Sequence, residues 1–381
     1  MSKIVSGPFN RITGVIVNDK RLLPYLAFWT RLLLKNRKPK IIGITGTAGK
    51  TTVTQMLGHV LMHKAAKPYI GTALRTSGNR NGDYGIRASI LNTSIDYYTS
   101  NDKLKLFLAA PFKAIGQSFF KSYPNVLVLE YGTFSKGHIH DLVKLAPPYI
   151  SIVTNIGPAH LERHKTVEGV YYEKRALVQG ANPDGLVVLG SGHDFVDRLK
   201  QDAKAPVVVL EGRGTELAKE ICIVVCNHFG MPKGAVEEAL KDYKVPAGRL
   251  NRFKSGNFDI IDDAYNANPL SMQLGLDTLA KENPVNGRRV ALLGVMAELG
   301  ELSEKYHEEI GIFAKGKADF IIGVGEGTQK YNPDVWFADS AQCAGNLHTV
   351  LRDNDTVLVK GSNAAKMGVV IDELKKNIVK V

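Results

Sequence analysis

The sequence predicts an α/β protein with two domains: a P-loop central domain built on a mostly parallel sheet, followed by a Rossmann-like C-terminal α/β domain. Short apolar runs alternate with helical patterns from Lys40 onward, which is typical of a parallel sheet covered by helices. A glycine-rich loop follows the first run, and a second alternating block follows Arg249. A chain of 381 residues is also longer than one hydrophobic core usually serves.

The apolar runs are the predicted strands. The first block has runs at 41–44, 125–129, 149–153 and 186–189, and the second has runs at 258–261, 289–293, 320–322 and 356–359. Open parallel sheets bind ligands at the carboxyl ends of their strands, so polar residues that follow these runs are the first candidates for function. Proline and glycine at 245–248 break the preceding helical pattern, which places a domain boundary near 246–250.

Composition and charge favour a folded protein that handles anionic ligands. The chain has 44% hydrophobic residues, 37 glycines and a formal net charge of +12, which suits nucleotides, phosphorylated substrates or acidic lipid surfaces. No aromatic RNP-type strand, zinc knuckle or arginine-rich run accompanies the charge, so we expect no nucleic-acid partner. Three cysteines make no disulfide framework and fit a reducing compartment. Cys222 and Cys226, with His228 close behind, fit one apolar helix face better than a metal site.

The N-terminal segment leaves two interpretations open. It lacks the apolar core of a signal peptide, and no run reaches the length of a membrane span, so we expect a cytoplasmic protein, and a monomer. The stretch 22–34 is apolar and helix-compatible after Pro24, and a basic cluster follows at 35–40. Such a helix can lie on a membrane surface, giving a peripheral membrane contact through residues 22–40. Packing of this helix on its own domain is the favoured alternative.

The segment GITGTAGKTT at 43–52 is a candidate phosphate loop, because it follows a predicted strand and opens a helical pattern. Glycines let the backbone aim its N–H groups at phosphate oxygens, and the helix N-terminus adds partial positive charge. Lys50 would reach the β- and γ-phosphates, and Thr51 would supply a hydroxyl to Mg²⁺. The strict pattern requires glycine where this chain has Ile44. The loop nevertheless predicts a nucleotide site.

Two further strand ends carry candidate metal ligands. Glu130 follows the run 125–129, and Asn155 and His160 follow the next run. A carboxylate and an imidazole at adjacent strand ends could hold the divalent cations that phosphoryl transfer needs. Taken singly, Glu130 is also explained as a surface charge and His160 as a loop histidine. On composition alone, Lys174 is explained as a helix-surface lysine.

The order of seven motifs gives the chain a resemblance to the Mur ligases of cell-wall peptide synthesis. The motifs are GITGTAGKTT, VLEYG, TNIGPAHLE, the stretch 169–174, GR at 248–249, IDDAYNANP and LLGVMAELGE, and they cover roughly residues 40 to 370. The last two are most similar to the MurF branch, which adds D-alanyl-D-alanine to the UDP-MurNAc-tripeptide.

In the central domain, the resemblance implies a role for each matching residue. Lys50 and Thr51 would hold the ATP phosphates and a Mg²⁺. Glu130 and His160 would bind the metal ions that bridge ATP and the substrate carboxylate, and Lys174 would join them if it carries a carbamate. Asn155 would belong to the adenine-side loop. The remaining nucleotide-binding residues would be those of the phosphate loop itself: Gly46, Thr47, Gly49 and Thr52.

In the C-terminal domain, the resemblance implies that Arg249 approaches the γ-phosphate and Asp263 binds the ribose. Tyr265, Asn266 and Asn268 would line the nucleotide and the incoming amine, and Lys360-Gly361-Ser362 is similar to a late family segment. The same asparagines are also ordinary turn formers before Pro269. Glu298, Glu301 and His307 are expected to form a capped, solvent-facing helix and are assigned no chemistry.

The resemblance implies three segments and one activity. The segments are a basic amphipathic N-terminal segment at 1–39, a central ATP-binding domain at 40–247 and a C-terminal domain at 248–381. The activity is that of an ATP-dependent, ADP-forming ligase, which activates a carboxylate as an acyl phosphate and joins it to the amine of an amino acid or dipeptide. Its partners would be small molecules: a peptide or peptide-sugar precursor and the incoming amine.

Three departures from the family pattern bear on specificity. Only about 40 residues precede the phosphate loop, which is too few for the usual UDP-binding domain. Val295 stands where MurF-like chains usually have Asp, and the region 77–122, rich in Lys and Phe, does not match closely. Two alternatives therefore remain: a Mur-ligase-like enzyme for another wall polymer, lipid-linked precursor or poly-amino-acid, or a non-catalytic nucleotide-binding subunit of an assembly.

Overall fold

The computed structural model describes residues 21–76, 80–93 and 100–376, with Ser100 described by its backbone alone. Residues 1–20 of the expected N-terminal segment and parts of the region 77–122 therefore lie outside the described residues. The described chain divides into two compact units. Unit 1 contains the described residues up to Asn155 together with Tyr172–Tyr243, and unit 2 contains Ile156–Tyr171 together with the described residues from Lys244.

Unit 1 is built on a six-stranded sheet in the order β2-β3-β1-β4-β5-β6. All neighbouring strands run parallel. The four apolar runs predicted in the first block are strands, and β2 and β6 at the two edges complete the sheet. The strands are β1 (Lys40–Thr45), β2 (Ala73–Arg75), β3 (Val126–Glu130), β4 (Ile150–Val153), β5 (Leu186–Gly190) and β6 (Val207–Leu210).

Helices cover both faces of this sheet because its central strands are apolar on both sides. Ile42 and Ile44 of β1 contribute to one buried cluster, while Ile41 between them belongs to a second cluster on the opposite face. This alternation is the period of two that a strand imposes on its side chains. The first eleven helices of the described chain are α1 (Leu22–Arg37), α2 (Lys50–Met62), α3 (Lys67–Ile70), α4 (Asp83–Ile90), α5 (Ser100–Ile115), α6 (His138–Leu145), α7 (Leu161–His164), α8 (Val167–Gln179), α9 (Val196–Asp202), α10 (Gly214–His228) and α11 (Lys233–Lys241).

Helix α1 packs on unit 1, as the favoured interpretation of the N-terminal segment predicted. Leu22, Leu26 and Leu33 are buried in the same cluster as residues of α4, α5 and α6. The cysteines of α10 also follow their prediction: Cys222 and Cys226 are free and buried, and burial raises the pKa of Cys226 to about 12. Within the described part of the chain, no helix is both long and apolar enough to cross a membrane.

Unit 2 contains a second six-stranded sheet in the order β11-β10-β9-β12-β8-β7. Only the β7–β8 pair, at one edge of this sheet, is antiparallel; the other pairs are parallel. All four predicted runs of the second block are strands here. The strands are β7 (Asn251–Ser255), β8 (Phe258–Asp263), β9 (Arg289–Gly294), β10 (Phe320–Val324), β11 (Val335–Phe337) and β12 (Thr356–Lys360). The helices from here on are α12 (Pro269–Leu279), α13 (Ser303–Lys315), α14 (Ser340–Gly345), α15 (Leu347–Val350) and α16 (Gly368–Lys376).

Candidate active site

The strand order of unit 1 brings three of its predicted site segments to one edge of the sheet. The chain leaves β1 for β2 and β3 on one side and later returns to β4 on the other, so a switch point lies beside β1. Ile44 pairs with Glu130, and Thr45 pairs with Val153. The phosphate loop, Glu130 and Asn155 therefore all lie at or just after the carboxyl ends of adjacent strands, where open parallel sheets bind their ligands.

The phosphate loop has a backbone that only glycine adopts easily. Gly46 has φ +151°, and a Cβ added there would lie 1.8 Å from Thr154 Oγ1. Gly49 has φ +83° and precedes the first residue of α2. Thr52 follows in the first turn of that helix. The close approach at Gly46 and the positive φ at Gly49 explain why glycine stands at these two positions.

Asn155 fixes the shape of this loop through its side chain. Its Oδ1 accepts hydrogen bonds from the backbone N–H groups of Thr47 at 3.1 Å and Ala48 at 2.8 Å. Its Nδ2 donates to the Ala48 carbonyl at 3.2 Å, and the Thr154 hydroxyl donates to the same oxygen at 2.6 Å. The implied role of Asn155 near adenine stays a prediction, but its contacts in unit 1 are with the phosphate loop.

Two lysine amines converge on one carbonyl of the loop. The Nζ atoms of Lys50 and Lys174 donate to the Gly46 carbonyl at 2.7 Å and 2.9 Å. Lys174 is only 1% exposed, so its interpretation as a helix-surface lysine is wrong. Burial, and secondly the charge of Lys50, hold the pKa of Lys174 well below its usual value. A lowered pKa raises the fraction of the neutral amine, which is the nucleophilic form.

Glu130 is buried rather than a surface charge, and both of its carboxylate oxygens are engaged. The Thr51 hydroxyl donates to Oε2 at 2.9 Å, and Asn81 Nδ2 donates to Oε1 at 2.9 Å. The side chain is 3% exposed. No sequence pattern singles out Asn81, because it lies between β2 and α4 in the chain and contacts Glu130 only in the folded protein. These hard oxygen donors suit a magnesium ion.

The described residues contain no group of three or more His, Cys, Asp or Glu side chains arranged to hold a metal ion. Proteins usually bind Mg²⁺ through one or two carboxylates plus substrate phosphates and water. The adjacent oxygens of Thr51 and Glu130, 2.9 Å apart next to a phosphate-type loop, fit that pattern.

In unit 2, His160 is held by the carboxylate of Glu298, a residue for which the sequence predicts no chemistry. The imidazole Nδ1 forms a short hydrogen bond with Glu298 Oε2. This bond is the main reason that the pKa of Glu298 lies below its usual value. Glu298 lies in the loop between β9 and the turn Gly300–Leu302, so the expectation of a solvent-facing helix is wrong for this residue. The sequence feature that points to Glu298 is its position after the end of a predicted strand.

The expectation of solvent exposure is also wrong for His307, whereas Glu301 is exposed. His307 is buried on α13, and its Nε2 accepts from the Met296 N–H at 3.0 Å. Its Nδ1 lies 2.7 Å from the Ser303 carbonyl, to which it donates. His307 thereby fixes the loop that carries Glu298.

The remaining predicted residues gather at the carboxyl edge of the second sheet. Lys360 Nζ at the end of β12 lies 2.6 Å from Asp263 Oδ2 at the end of β8, and it also donates to the Asn266 carbonyl at 2.9 Å. The Arg249 guanidinium lies 4.0 Å from the centroid of the Tyr265 ring. Asn268 caps α12 in a capping box with Ser271, so its turn-forming role is observed.

Comparison with known proteins places both units in one family. Residues 44–218 match the Mur ligase middle domain, and residues 248–363 match the Mur ligase glutamate ligase domain. The UDP-N-acetylmuramoyl-tripeptide–D-alanyl-D-alanine ligase of Escherichia coli K12 is 25% identical over 98% of this chain and 85% of its own length. The enzyme of the same name from Mycobacterium tuberculosis H37Rv is 28% identical over 88% of this chain and 72% of its own. The structure of MurF ligase from Thermotoga maritima in complex with ADP shares the fold, with TM-score 0.76, 22% identity and coverage of 94% and 84% of the two chains.

Proposed function

Because this chain belongs to the Mur ligase family, we propose that it activates a substrate carboxylate as an acyl phosphate and joins it to an amine. The enzyme is an ATP-dependent, ADP-forming acid–amino-acid ligase. The observation that carries the proposed mechanism is the arrangement at Gly46, where two lysine amines meet the phosphate loop. The predicted division into a central ATP-binding domain at 40–247 and a C-terminal domain at 248–381 is part of the proposal.

Unit 1 would bind the triphosphate and its metal ion. Lys50 lies at the start of α2 with its amine folded onto the loop carbonyls, and it would turn to the phosphates when a nucleotide occupies the loop. Thr51 and Glu130 would hold Mg²⁺, which when bound neutralises charge that builds on the γ-phosphate. The glycines at 46 and 49, with Thr47 and Thr52, would let backbone N–H groups face the phosphate oxygens.

The reaction has two chemical steps. A carboxylate oxygen of the first substrate attacks the γ-phosphorus, the bond to the β-phosphate oxygen breaks, and ADP leaves. The amine of the second substrate then attacks the acyl carbon, inorganic phosphate leaves with the C–O electron pair, and the amine loses a proton. Lys50 would stabilise negative charge on the transferred phosphoryl group, since a fixed cation acts most strongly where charge develops.

Lys174 and His160 would complete the metal-binding set. The neutral amine that burial favours at Lys174 is the form that reacts with carbon dioxide, and the resulting carbamate would be an anionic metal ligand. The hydrogen bond to Glu298 occupies Nδ1 of His160, so a metal bond from this imidazole would use Nε2. Arg249, Asp263, Tyr265, Asn266 and Asn268 are proposed to serve the nucleotide and the amine from unit 2.

The names of the relatives suggest the first substrates to test. Those enzymes join D-alanyl-D-alanine to a UDP-N-acetylmuramoyl-tripeptide, and the same pair is the leading candidate here. Val295 stands where MurF-like chains usually have Asp, so the acceptor substrate should be identified by screening. The cytoplasmic location stays a prediction from the sequence.

The test is ADP release by the full chain, with UDP-muramoyl peptides of different lengths combined with single amino acids and with D-alanyl-D-alanine. The wild type should release ADP only when both the carboxylate and the amine substrate are present. Lys50→Ala should abolish this release, while Lys64→Ala, which removes an exposed lysine, should leave it unchanged. Turnover by Lys50→Ala at the wild-type rate would refute the role of the phosphate loop.

A further inference from the structure

Unit 1 presents a stripe of exposed apolar side chains on α5 and on the single π-helical turn Gly116–Phe120 that follows it. Its members are Leu108, Phe112, Ile115, Phe119 and Phe120, and they are 56%, 80%, 40%, 63% and 82% exposed. The spacing of four, three and four residues from Leu108 to Phe119 keeps them on one helix face. Large aromatic side chains this exposed, and this many together, mark an interaction surface.

The stripe is held in place by the opposite face of the same helix. Leu106, Ala110 and Ala114 are buried in the cluster that includes α1. Pro111 cannot donate the helical hydrogen bond to the Phe107 carbonyl, and the Tyr25 hydroxyl of α1 donates to that oxygen at 3.2 Å instead. The exposed phenylalanines therefore project from a helix that is fixed on unit 1.

Helix α1 also anchors the far end of the stripe. The Arg37 guanidinium at the end of α1 donates to the carbonyls of Gln117 and Lys121. The ring of Tyr25, near the start of α1, packs at a tilt against that of Phe107 with centroids 4.5 Å apart. The two helices thus run side by side in the same direction, and the outward face of α1 carries Phe28 among the basic residues Arg31 and Lys35.

The charged residues of α5 and of the turn after it are nearly all lysines. Lys105, Lys113 and Lys121 are exposed along α5 and the turn after it, and the segment 103–129 contains no Asp or Glu. Asp102 is the single acidic residue of α5, and it lies 3.7 Å from Lys105. Lysine-rimmed aromatic faces match the region where lipid headgroups meet acyl chains, because lysines reach the phosphates while aromatic rings enter the apolar layer.

We propose that this surface, formed by Leu108, Phe112, Ile115, Phe119 and Phe120 with the surrounding lysines, docks the enzyme on an anionic lipid bilayer. The contact is peripheral, with the aromatic rings inserted to the headgroup boundary. An aromatic centre with a polar rim also occurs in protein interfaces; the absence of Asp and Glu from 103–129 beside the stripe is what favours an acidic lipid surface. A bilayer with acidic headgroups matches both the apolar stripe and the excess of positive charge beside it.

Vesicle co-sedimentation of the full chain tests this proposal. The wild type should sediment with phosphatidylcholine vesicles that contain phosphatidylglycerol and remain in solution with phosphatidylcholine alone, and added salt should weaken the binding. The double variant Phe112→Ser, Phe120→Ser and the double variant Lys113→Glu, Lys121→Glu should each lower the partition coefficient about tenfold or more. All four side chains are exposed, so both variants should fold and keep wild-type ADP release in solution.

A matched control lies on α13 of unit 2, where Ile312 is 76% exposed and Lys315 is also exposed. The double variant Ile312→Ser, Lys315→Glu changes apolarity and charge in the same way and should bind vesicles as the wild type does. Absence of binding to the anionic vesicles, or equal loss in the control, would overturn the proposal. The proposal would also be overturned if the wild type did not bind vesicles but self-associated in sedimentation velocity, and if the Phe112→Ser, Phe120→Ser double variant no longer self-associated.

Discussion

His160 and Glu298 are joined by a direct side-chain hydrogen bond although they lie 138 positions apart in the sequence. Both residues adopt positive φ, 54° and 62°, a conformation that costs of order 1 kcal/mol or more outside glycine. The Glu162 N–H also donates to the Glu298 carbonyl at 3.3 Å. Two residues in this conformation held against each other make this contact a candidate for a functional role.

Replacing Glu298 should impair turnover without unfolding unit 2. Glu298→Ala should lower kcat by about 10–100-fold and raise the Mg²⁺ concentration needed for half-maximal activity, because carboxylates that orient a ligating histidine typically contribute that much. Glu298→Gln keeps an acceptor oxygen, so its kcat should fall less than that of Glu298→Ala. The readout is ADP release at varied Mg²⁺. Glu301→Ala, an exposed residue of the next turn, is the control, and equal behaviour of the two alanine variants would contradict the role of Glu298.

Lys174 should be required as a reactive amine and not merely as a cation. Lys174→Arg keeps a positive charge but cannot form a carbamate, so it should release ADP at less than about one hundredth of the wild-type rate, a larger loss than the roughly 10–100-fold typical of removing a group that only orients a metal ligand. Wild-type activity should fall in buffer depleted of carbon dioxide and return on addition of bicarbonate. Labelled bicarbonate should give a carbamate carbon signal by NMR in the wild type only. Lys200→Arg on the exposed side of α9 should behave as wild type. Full activity of Lys174→Arg would exclude the carbamate.

Protonation of His307 should lower the stability of unit 2 in mild acid. Burial lowers its pKa below the ordinary 6.5, so the unfolded chain takes up a proton at a higher pH than the folded one does. Stability is therefore complete above about pH 6.5 and declines as the pH falls through the folded pKa, with a limiting slope of about 1.4 kcal/mol per pH unit for one proton.

The pH effect is measured by hydrogen exchange of amides in unit 2 at about pH 7.5 and about pH 5.5, corrected for the intrinsic exchange rates. His307→Gln retains an acceptor for the Met296 N–H and a donor for the Ser303 carbonyl, so it should fold and show a smaller pH dependence than the wild type. The same pH dependence in both proteins would show that other groups cause it.

Gly46→Ala should damage nucleotide binding more than global stability. A methyl group there meets Thr154 Oγ1 at 1.8 Å and the backbone has φ +151°, so the loop must change shape. The dissociation constant for ATP should rise by about tenfold or more, the equivalent of 1.4 kcal/mol. Gly234→Ala on α11 has nothing within 4 Å of the added Cβ, and it should bind ATP as wild type does while gaining up to about 1 kcal/mol of stability. Calorimetric titration with ATP measures the dissociation constant of both variants. Wild-type affinity in Gly46→Ala would refute the role of the phosphate loop.

The predicted strands were confirmed because strands buried on both faces must be continuous apolar runs. Each of the eight runs is a strand, and the loop after the first run leads into α2 as expected. The antiparallel β7 was not predicted, since its burial alternates residue by residue and its residues are mostly polar. The other three edge strands, β2, β6 and β11, were not predicted either, although they pair in parallel. Local pattern therefore predicted the central strands of both sheets and the inner strand β8, and it missed the four edges.

The sequence by itself determined the fold class, the phosphate loop and the family, because those depend on short-range patterns of apolar runs, glycines and motif order. Only the tertiary structure decided that Lys174 and Glu130 are buried, that Asn81 contacts Glu130, and that Glu298 contacts His160. Those facts depend on contacts between residues far apart in the chain, and burial is what lowers the pKa of Lys174 below that of an ordinary lysine. The charge and apolarity of α5 were visible in the sequence, but which of its side chains face outward was fixed by its packing on α1.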